Sequence, residues 1–159
     1  MRSVSAWRVS RVKFAEPPYN PFDGEGARRF GGRWNSPGVA VVYASGSLSL
    51  AVLEILVHAD SLSALPDHVA FPLDIPQPLI HELADDELPD TWHSPSAPDA
   101  LRQMGDDWVQ AGRTVALRVP SAVIPTEFNF VLNPAHPDFE RLSIGARQQL
   151  QIDPRLVKS

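Results

Sequence analysis

Hydrophobic positions along the chain predict several short strands. Partial alternation from Val4 to Val12 favours a first strand. Three apolar runs rich in β-branched residues favour buried strands: VAVVYA at 39–44, VAFPLDI at 69–75 and TVALRV at 114–119. Pro72 has no backbone N–H and therefore predicts an edge or a bulge in the second of these runs. Extended structure is also predicted at 127–132, and the tail from about 148 to 157 is expected to add a last strand.

Two segments have helical character. Leu48 to Ala59 is almost continuously apolar and follows Ser45-Gly46-Ser47, which offers an N-cap. A second helix is predicted from about Pro98 to Ala111, capped by Ser96 or Asp99. Because strands and helices mix without a regular βαβ rhythm, the predicted fold class is α+β.

The segment 15–38 separates the first two predicted strands and is irregular. It is rich in proline and glycine, and a loop of this length in a compact domain is usually either functional or disordered. Its aromatic side chains are atypical of disorder, so we expect the segment to be ordered; they are Tyr19, Phe22, Phe30 and Trp34.

Length and composition fit one compact domain. The chain has 159 residues, is 43% hydrophobic and carries a net charge of −5, from 14 Lys and Arg against 19 Asp and Glu. This charge argues against a protein that coats polyanions, because non-specific nucleic-acid binding depends on clustered positive charge. Twelve of the cations are arginines, which suit planar recognition of phosphate, although a genomic preference for arginine gives the same bias.

Features that the sequence lacks limit the classes of protein to which the chain can belong. The chain has no cysteine, which excludes disulfides, a cysteine nucleophile and thiolate metal sites. Met1 to Ser5 leads into the first strand without the apolar core of a signal peptide, and the apolar stretch Leu48 to Val57 is too short to span a bilayer. The five histidines are scattered, so no metal site is predicted. We expect a single cytoplasmic domain over residues 1–159, without membrane contact.

Glu54 is the most informative single residue. It interrupts the predicted apolar helix, whose other positions are hydrophobic on every face, so this helix is expected to be buried all round. Burying an ionised carboxylate without a partner costs several kcal/mol. Two structural explanations are that Glu54 forms a buried ion pair or that it reaches solvent at the helix end. The functional explanation is that its carboxylate faces a polar pocket suited to chemistry.

A cluster of positive charge lies within the irregular segment, beside Gly31 and Gly32; its arginines are Arg28, Arg29 and Arg33. Glycine allows the backbone to approach a ligand closely, and arginine forks suit pyrophosphate. The order of the glycines matches neither a Walker A motif nor a dinucleotide-binding GxGxxG motif. Two alternatives stay open: an exposed turn with solvated arginines, and a nucleic-acid patch with Phe30 and Trp34 as stacking platforms.

Three further polar residues accompany the predicted strands. Tyr43 ends a buried strand shortly before the helix that carries Glu54, so its ring either reaches the same pocket or packs in the core. Arg8 sits between two apolar residues of the first strand and is expected on the opposite face of the sheet, exposed to solvent. Ser121 follows a strand that ends in proline, and no histidine lies nearby in sequence to suggest a Ser-His-Asp triad.

The segment GEGARRFGGRWN at 24–35 is the most specific motif in the chain, and shorter motifs accompany it: WRV at 7–9, VVY at 41–43, LE at 53–54, VPS at 119–121 and NP at 133–134. With these motifs the chain resembles the RES-domain family, the toxin components of bacterial Res–Xre toxin–antitoxin pairs. The resemblance runs in order over about residues 5–137. The family's name denotes an arginine, a glutamate and a serine, which fall here on Arg33, Glu54 and Ser121.

The resemblance implies a fold like that of ADP-ribosyltransferase toxins, with mixed sheets and flanking helices. It also implies an enzyme that breaks the nicotinamide–ribose bond of NAD+, with water or inorganic phosphate as acceptor. Catalytic roles are implied for Glu54, Arg33 and Tyr43, and Arg8, Arg33, Tyr43 and Ser121 are implied to bind the substrate NAD+. Val9 stands where some relatives have tyrosine, so one stacking contact is expected to be missing. No metal and no cofactor beyond NAD+ is implied, and phosphate would be a co-substrate if it is the acceptor.

A protein partner is implied as well, an Xre-type helix-turn-helix antitoxin that neutralises the toxin in a hetero-oligomer. Transfer of ADP-ribose to a protein target is an alternative activity of the same site. A second alternative is a non-catalytic module that binds RNA or protein through the arginine cluster, which the net negative charge disfavours. The acidic segment 82–107, with eight carboxylates and one arginine, has no predicted role.

Overall fold

The fold is built on one mixed β-sheet. The computed structural model describes residues 2–59 and 67–156. Its strands are β1 (Ser3–Arg11), β2 (Val42–Ser45), β3 (His68–Pro76), β4 (Ile80–Glu82), β5 (Ala116–Pro120), β6 (Phe128–Leu132), β7 (Ser143–Ile144) and β8 (Gln148–Leu150). The strand order is β4-β5-β6-β2-β1-β3-β7, and β8 pairs with β3 beside β7. The β4–β5 pair is parallel and the other pairs of described strands are antiparallel.

In the described part of the chain, three α-helices flank the sheet: α1 (Glu25–Phe30), α2 (Leu48–Leu56) and α3 (Asp99–Ala111). No helix among residues 2–59 and 67–156 combines the length and the apolar character that a membrane crossing requires. The α+β class predicted from the sequence is confirmed.

Hydrophobic clusters lie on both faces of the sheet, because side chains alternate along each strand. Ala44 and Phe130 belong to one cluster, whereas Tyr43 and Val131, their neighbours along β2 and β6, belong to the other. Helix α3 contributes the fully buried Leu101 to the second cluster. The Tyr43 side of the sheet is therefore the side that faces α3.

Most predicted elements exist, with shifted ends. Strand β2 begins at Val42 instead of 39, and the tail strand covers only Gln148–Leu150 of the predicted 148–157, whose last residue lies outside the described part. The short strands β4 and β7 and helix α1 were not predicted. Pro72 lies between the stretches of β3 that pair with β7 and with β8, so its missing N–H faces an interruption in the sheet.

Two helix predictions are wrong in detail. Helix α2 is not buried all round: Leu50 and Ala51 are buried, whereas Val57 at its C-terminal end is 53% exposed. The reason is its position, because α2 packs with one face against β1 and β2. Its start was predicted correctly, since the Ser47 side chain accepts the N–H of Leu50.

Helix α3 is capped by neither Ser96 nor Asp99; Pro98 holds the N-cap position without a side-chain hydrogen bond.

The irregular segment is ordered, as expected. Asn35 is fully buried, and its amide donates to the carbonyl oxygens of Ala27, Ser36 and Val39. Through these bonds, one side chain links α1 to the residues that lead into β2. The segment thereby becomes a fixed wall beside the Tyr43 side of the sheet.

Candidate active site around Glu54

The Glu54 carboxylate is held by neutral donors. Its side chain is half-buried on α2, and its Oε1 atom accepts from the Ser121 hydroxyl at 2.7 Å and from the Asn129 amide at 2.7 Å. In the described part of the chain no cation lies within ion-pair distance of Glu54, so the buried ion pair considered from the sequence is wrong. No donor among the described residues bonds Oε2, the second oxygen. Within the described residues the carboxylate is thus anchored through Oε1 alone.

Ser121 lies behind Glu54, in the turn after β5. The residue is 0% exposed, and its Oγ atom accepts the backbone N–H groups of Val123 and Ile124 at 3.0 and 3.1 Å. With these lone pairs occupied, the hydroxyl proton points to Glu54. This geometry makes Ser121 a residue that positions the carboxylate.

Asn129 is the site residue that sequence reasoning missed. It lies on β6 on the same face as Val131, and its Oδ1 atom accepts from the Ser45 hydroxyl at 2.8 Å. Ser45 and Asn129 are directly opposite each other in the β2–β6 ladder. The signal available in the sequence was a single amide within the apolar run FNFVL. In the structure, the next residues on the same face of the strand, Val131 and Asn133, are buried.

Tyr43 organises the segment that carries Arg33. Its hydroxyl donates to the Asn35 side-chain oxygen at 2.6 Å and accepts the backbone N–H of Trp34 at 3.0 Å. Burial raises the pKa of Tyr43 above its usual value, so the phenol is neutral at physiological pH. A Cβ atom at Gly32 would lie 2.7 Å from the Tyr43 hydroxyl, which explains why a glycine is needed there. The phenol therefore holds the segment 32–35 in place.

The Arg33 side chain extends from the irregular segment 15–38 to the acidic segment 82–107. Its guanidinium donates to the carbonyl oxygens of Trp92 and Ser94 at 3.0 and 2.9 Å, and to that of Pro95 at 3.3 Å. Burial lowers the pKa of Arg33, and the negative charge of Glu54 partly offsets this effect. Arg33 and Glu54 are thus within electrostatic reach of each other, although no direct bond joins them.

Arg8 is placed differently from the sequence expectation. It is half-buried rather than exposed, and it donates to the carbonyl oxygens of Pro21 at 3.1 Å and Tyr43 at 3.2 Å. Burial lowers its pKa to about 10, against a smaller opposing effect of Asp23. Strand alternation puts its side chain on the face of Ala6, a buried residue, which explains the error. Arg8 therefore contacts the site through its hydrogen bond to the Tyr43 carbonyl oxygen.

The remaining arginines of the cluster do not join Arg33. Arg28 and Arg29 both bond the carboxylate of Glu25 on the exposed surface of α1, and these bonds lower the pKa of Glu25 to about 2. Trp34 is only 2% exposed, so it offers no stacking platform, whereas Phe30 is 84% exposed. The nucleic-acid patch considered from the sequence is not formed, because its members point to different places.

The acidic segment has a structural role that the sequence did not reveal. Helix α3 crosses the backbone at Trp34 so closely that a Cβ atom at Gly105 would overlap the Trp34 carbonyl oxygen. The next residue, Asp106, accepts the backbone N–H of Ser36 at 2.9 Å. Together these contacts press the segment beside Arg33 against the sheet.

Two cavities, of about 310 and 330 Å³, lie elsewhere in the molecule. The first is lined by Arg118 and Phe128, and the second lies beside Trp108 of α3. Neither contains Arg8, Arg33, Tyr43, Glu54 or Ser121. We therefore define the candidate site by the hydrogen-bond network around Glu54.

Comparison with known proteins identifies the family of this chain. The model of the RES domain family matches residues 5–153. A protein named Toxin Res from Photorhabdus laumondii is 38% identical over 96% of this chain and 97% of its own length. A Prs ADP-ribosylating toxin from Sphingobium sp. (strain YBL2) is 36% identical over 98% of both chains.

Fold comparison agrees with the sequence comparison. The structure is similar to a chain in the crystal structure of the M. tuberculosis MbcT-MbcA toxin-antitoxin complex, with a TM-score of 0.77, 19% identity, and coverage of 98% of this chain and 87% of that chain. At this identity the likeness concerns the fold, which confirms the architecture expected from the motifs. Ser121 bonds Glu54 directly, whereas Arg33 bonds backbone carbonyl oxygens and senses the charge of Glu54 without bonding it. The chain belongs to the RES domain family.

Proposed function

We propose that this RES-family chain is a toxin enzyme that depletes NAD+ by cleaving the bond between nicotinamide and ribose. The observation that carries the proposal is the Glu54 carboxylate, anchored through Oε1 by Ser121 and Asn129 while Oε2 has no partner among the described residues. A half-buried carboxylate with one unbonded oxygen is suited to stabilising a positive charge on a substrate. The similarity to proteins named as toxins supports the biological role.

The reaction needs a group of this kind. When the C–N bond to nicotinamide breaks, its electron pair leaves with the nicotinamide, which becomes neutral, and the ribose carbon becomes oxocarbenium-like. The negative charge of Glu54 stabilises that carbon in the transition state. Water then adds to the carbon and releases a proton, giving ADP-ribose; if phosphate adds instead, the product is a phosphorylated ADP-ribose.

Arg33 is proposed to hold the pyrophosphate of NAD+. Its guanidinium is bonded to carbonyl oxygens, which leave its positive charge uncompensated by any directly bonded anion among the described residues. A bidentate bond to phosphate is stronger than bonds to neutral acceptors, so an anionic ligand can replace them. Arg8 is proposed to contribute from the other side of Tyr43, and Tyr43 itself to shape the wall of the site.

Expression in a bacterial host tests the role. We expect induction of the wild type to lower cellular NAD+ and stop growth, while Glu54→Gln does neither, because the amide keeps the size of the side chain but carries no charge. Glu25→Gln removes a surface carboxylate on α1 and is the matched control, expected to remain toxic. Growth arrest with normal NAD+ levels would contradict the proposal.

A second acceptor is favoured by one comparison. The relative from Sphingobium is named an ADP-ribosylating toxin, which supports transfer of ADP-ribose to a protein by the same site. Purified enzyme with NAD+ labelled in its adenylate moiety separates the acceptors. Label that stays in small molecules indicates water or phosphate, and a phosphorylated product that depends on added phosphate indicates phosphorolysis. Label bound to a macromolecule in stoichiometric amounts would indicate transfer to protein.

An antitoxin partner is also proposed. The similar fold occurs in a toxin-antitoxin complex, and we infer that a helix-turn-helix antitoxin of the Xre type neutralises this chain in a hetero-oligomer. Co-expression with the reading frame next to the toxin gene should restore growth and co-purify a complex. Restored growth without a complex would contradict direct neutralisation.

A further inference from the structure

We propose that Asn129 positions Glu54 for catalysis and that Ser45 acts through Asn129 by fixing the orientation of its amide. The proposal rests on the function proposed above and names two residues outside the motifs that carry the family resemblance. It starts from a linear network, in which Ser45 donates to Asn129 and Asn129 donates to Glu54.

The geometry of the sheet creates this network. Ser45 ends β2 and lies directly opposite Asn129 in the antiparallel ladder, so the two side chains share one face. Helix α2 follows β2 after a short turn and brings Glu54 over the same face. The oxygen–oxygen distance from Ser45 to Asn129 is 2.8 Å, and the nitrogen–oxygen distance from Asn129 to Glu54 is 2.7 Å.

Chemistry determines the direction of both bonds. An ionised carboxylate can only accept, so the Asn129 group that faces Glu54 must be the NH₂ group. Its carbonyl oxygen then faces Ser45, which must donate. Ser45 is 5% exposed, so water has little access to replace it. A flipped amide would direct its oxygen at the carboxylate and repel it.

The network fixes where the charge of Glu54 acts. Ser121 and Asn129 reach the same atom, Oε1, from two strand ends, and together they define the rotation of the carboxylate plane. Oε2 is then held in one direction, and no described residue bonds it. A displacement of about 1 Å in a catalytic group can reduce a rate by about 100-fold, so loss of one anchor is expected to affect the turnover more than the binding.

Kinetics of NAD+ cleavage by Asn129 variants test this role. For Asn129→Asp at about pH 8 we expect kcat to fall by about 100-fold and KM to change by less than about threefold, because an ionised carboxylate replaces the donor. Asn133→Asp is the matched control, since Asn133 is also buried and its Oδ1 only accepts the N–H of Ala135, which a carboxylate can do equally well. This control should keep the wild-type kcat.

The pH dependence distinguishes positioning from a general structural effect. Glu54 on α2 is the charged group bonded to Asn129, Arg33 interacts electrostatically with Glu54, and Glu127, two residues before Asn129, accepts from the Ser47 hydroxyl. The charge of Glu54 raises the pKa of the introduced carboxyl, which can donate again once protonated. The ratio of Asn129→Asp activity to wild-type activity should therefore rise several-fold from about pH 8 to about pH 5. Asn129→Ala has no such group and should show a constant ratio.

Ser45 supplies a second test. Ser45→Ala should lower kcat by about three- to tenfold, because the amide loses the bond that fixes its orientation. The same change on an Asn129→Ala background should have no further effect, as Ser45 acts only through Asn129. Circular dichroism melting verifies that each variant is folded.

The outcomes separate this proposal from the one on which it rests. A folded wild type that leaves NAD+ intact refutes the proposed function and the role of Asn129 with it. A wild type that cleaves NAD+, together with Asn129→Asp and Asn129→Ala variants whose kcat stays within about threefold of it, refutes the role of Asn129 alone. Additive losses for Ser45→Ala and Asn129→Ala would refute the coupling between them.

Discussion

Residue by residue, the site consists of charged groups held mainly by neutral partners. Glu54 accepts from a hydroxyl and an amide, and Arg8 and Arg33 donate to backbone carbonyls. Such partners fix a charged group in place without neutralising it, unlike the Glu25 carboxylate, which two arginines neutralise on the surface of α1. The charges at the site therefore remain available to a substrate.

Loss of the Tyr43 hydroxyl should be costly. Tyr43→Phe leaves the buried Asn35 oxygen and the Trp34 N–H without their partner, so we expect the free energy of unfolding to fall by about 1–3 kcal/mol. Urea unfolding measures this change. Tyr19→Phe, at a position 54% exposed, is the control and should be neutral; equal stabilities of the two variants would show that the hydroxyl has no structural importance.

The residue pattern singled out Glu54 and the arginine cluster, and the family resemblance singled out Arg33, Glu54 and Ser121, but neither predicted how these side chains are arranged. The Ser121–Glu54 bond joins positions 67 residues apart, and the Asn129–Glu54 bond joins positions 75 residues apart. Only the order of strands in the sheet brings them together. Asn129 was missed because its one local signal, an amide within the apolar run FNFVL, does not show that Glu54 lies opposite it.

At the scale of elements, helix α3 packs against the segment 31–36, which forms one wall of the site. Gly105 and Asp106 contact the backbone of Trp34 and Ser36, and Arg33 extends from the same segment to the chain just before α3. The helical periodicity around α3 was enough to predict the helix. It could not show that a glycine inside it permits a backbone-to-backbone crossing.

Gly105→Ala should separate α3 from this segment. The new Cβ atom overlaps the Trp34 carbonyl oxygen, so a loss of several kcal/mol is expected in spite of the higher helix propensity of alanine, worth about 1 kcal/mol. Gly26→Ala in α1 is the matched control, because no atom lies within 4 Å of its added Cβ atom. Thermal unfolding compares the two variants, and a Gly105→Ala protein as stable as Gly26→Ala would disprove the crossing.

Arg33 should hold the chain before α3 in place. In Arg33→Gln the carbonyl oxygens of Trp92 and Ser94 lose charged donors, and we expect faster amide hydrogen exchange in residues 89–97. The KM for NAD+ should rise by about tenfold or more as a pyrophosphate ligand is lost. Arg29→Gln, at an exposed position on α1, should change neither quantity. Unchanged exchange in Arg33→Gln would mean that the bonds to the carbonyls are unimportant in solution.

At the scale of the whole molecule, charge and fold favour a small anionic ligand over a polyanion. The net charge of −5 accompanies arginines that are dispersed: Arg28 and Arg29 face Glu25, whereas Arg33 faces the chain before α3. A dinucleotide needs only a few local guanidinium groups. The α+β class followed from the mixture of short strands and helices, but the strand order and the parallel β4–β5 pair depend on contacts that no local pattern specifies.

Nucleic-acid binding should accordingly be absent. We expect single-stranded RNA and duplex DNA to show no saturable binding below about 10 μM protein at low salt, where electrostatic binding is strongest. Fluorescence anisotropy with labelled oligonucleotides provides the measurement. Tight binding that weakens steeply with salt, and that is lost in Arg28→Gln/Arg29→Gln, would favour the non-catalytic alternative.

The rate of nicotinamide release from NAD+ by purified protein tests the proposed role of Glu54 most directly. The wild type and Glu25→Gln should release nicotinamide at equal rates, and Glu54→Gln should release it at least about 100-fold more slowly while melting at a similar temperature. This result follows if the anchored carboxylate of Glu54 stabilises the charge on the ribose. Release by Glu54→Gln at the wild-type rate would show that the charge of Glu54 is not needed for cleavage.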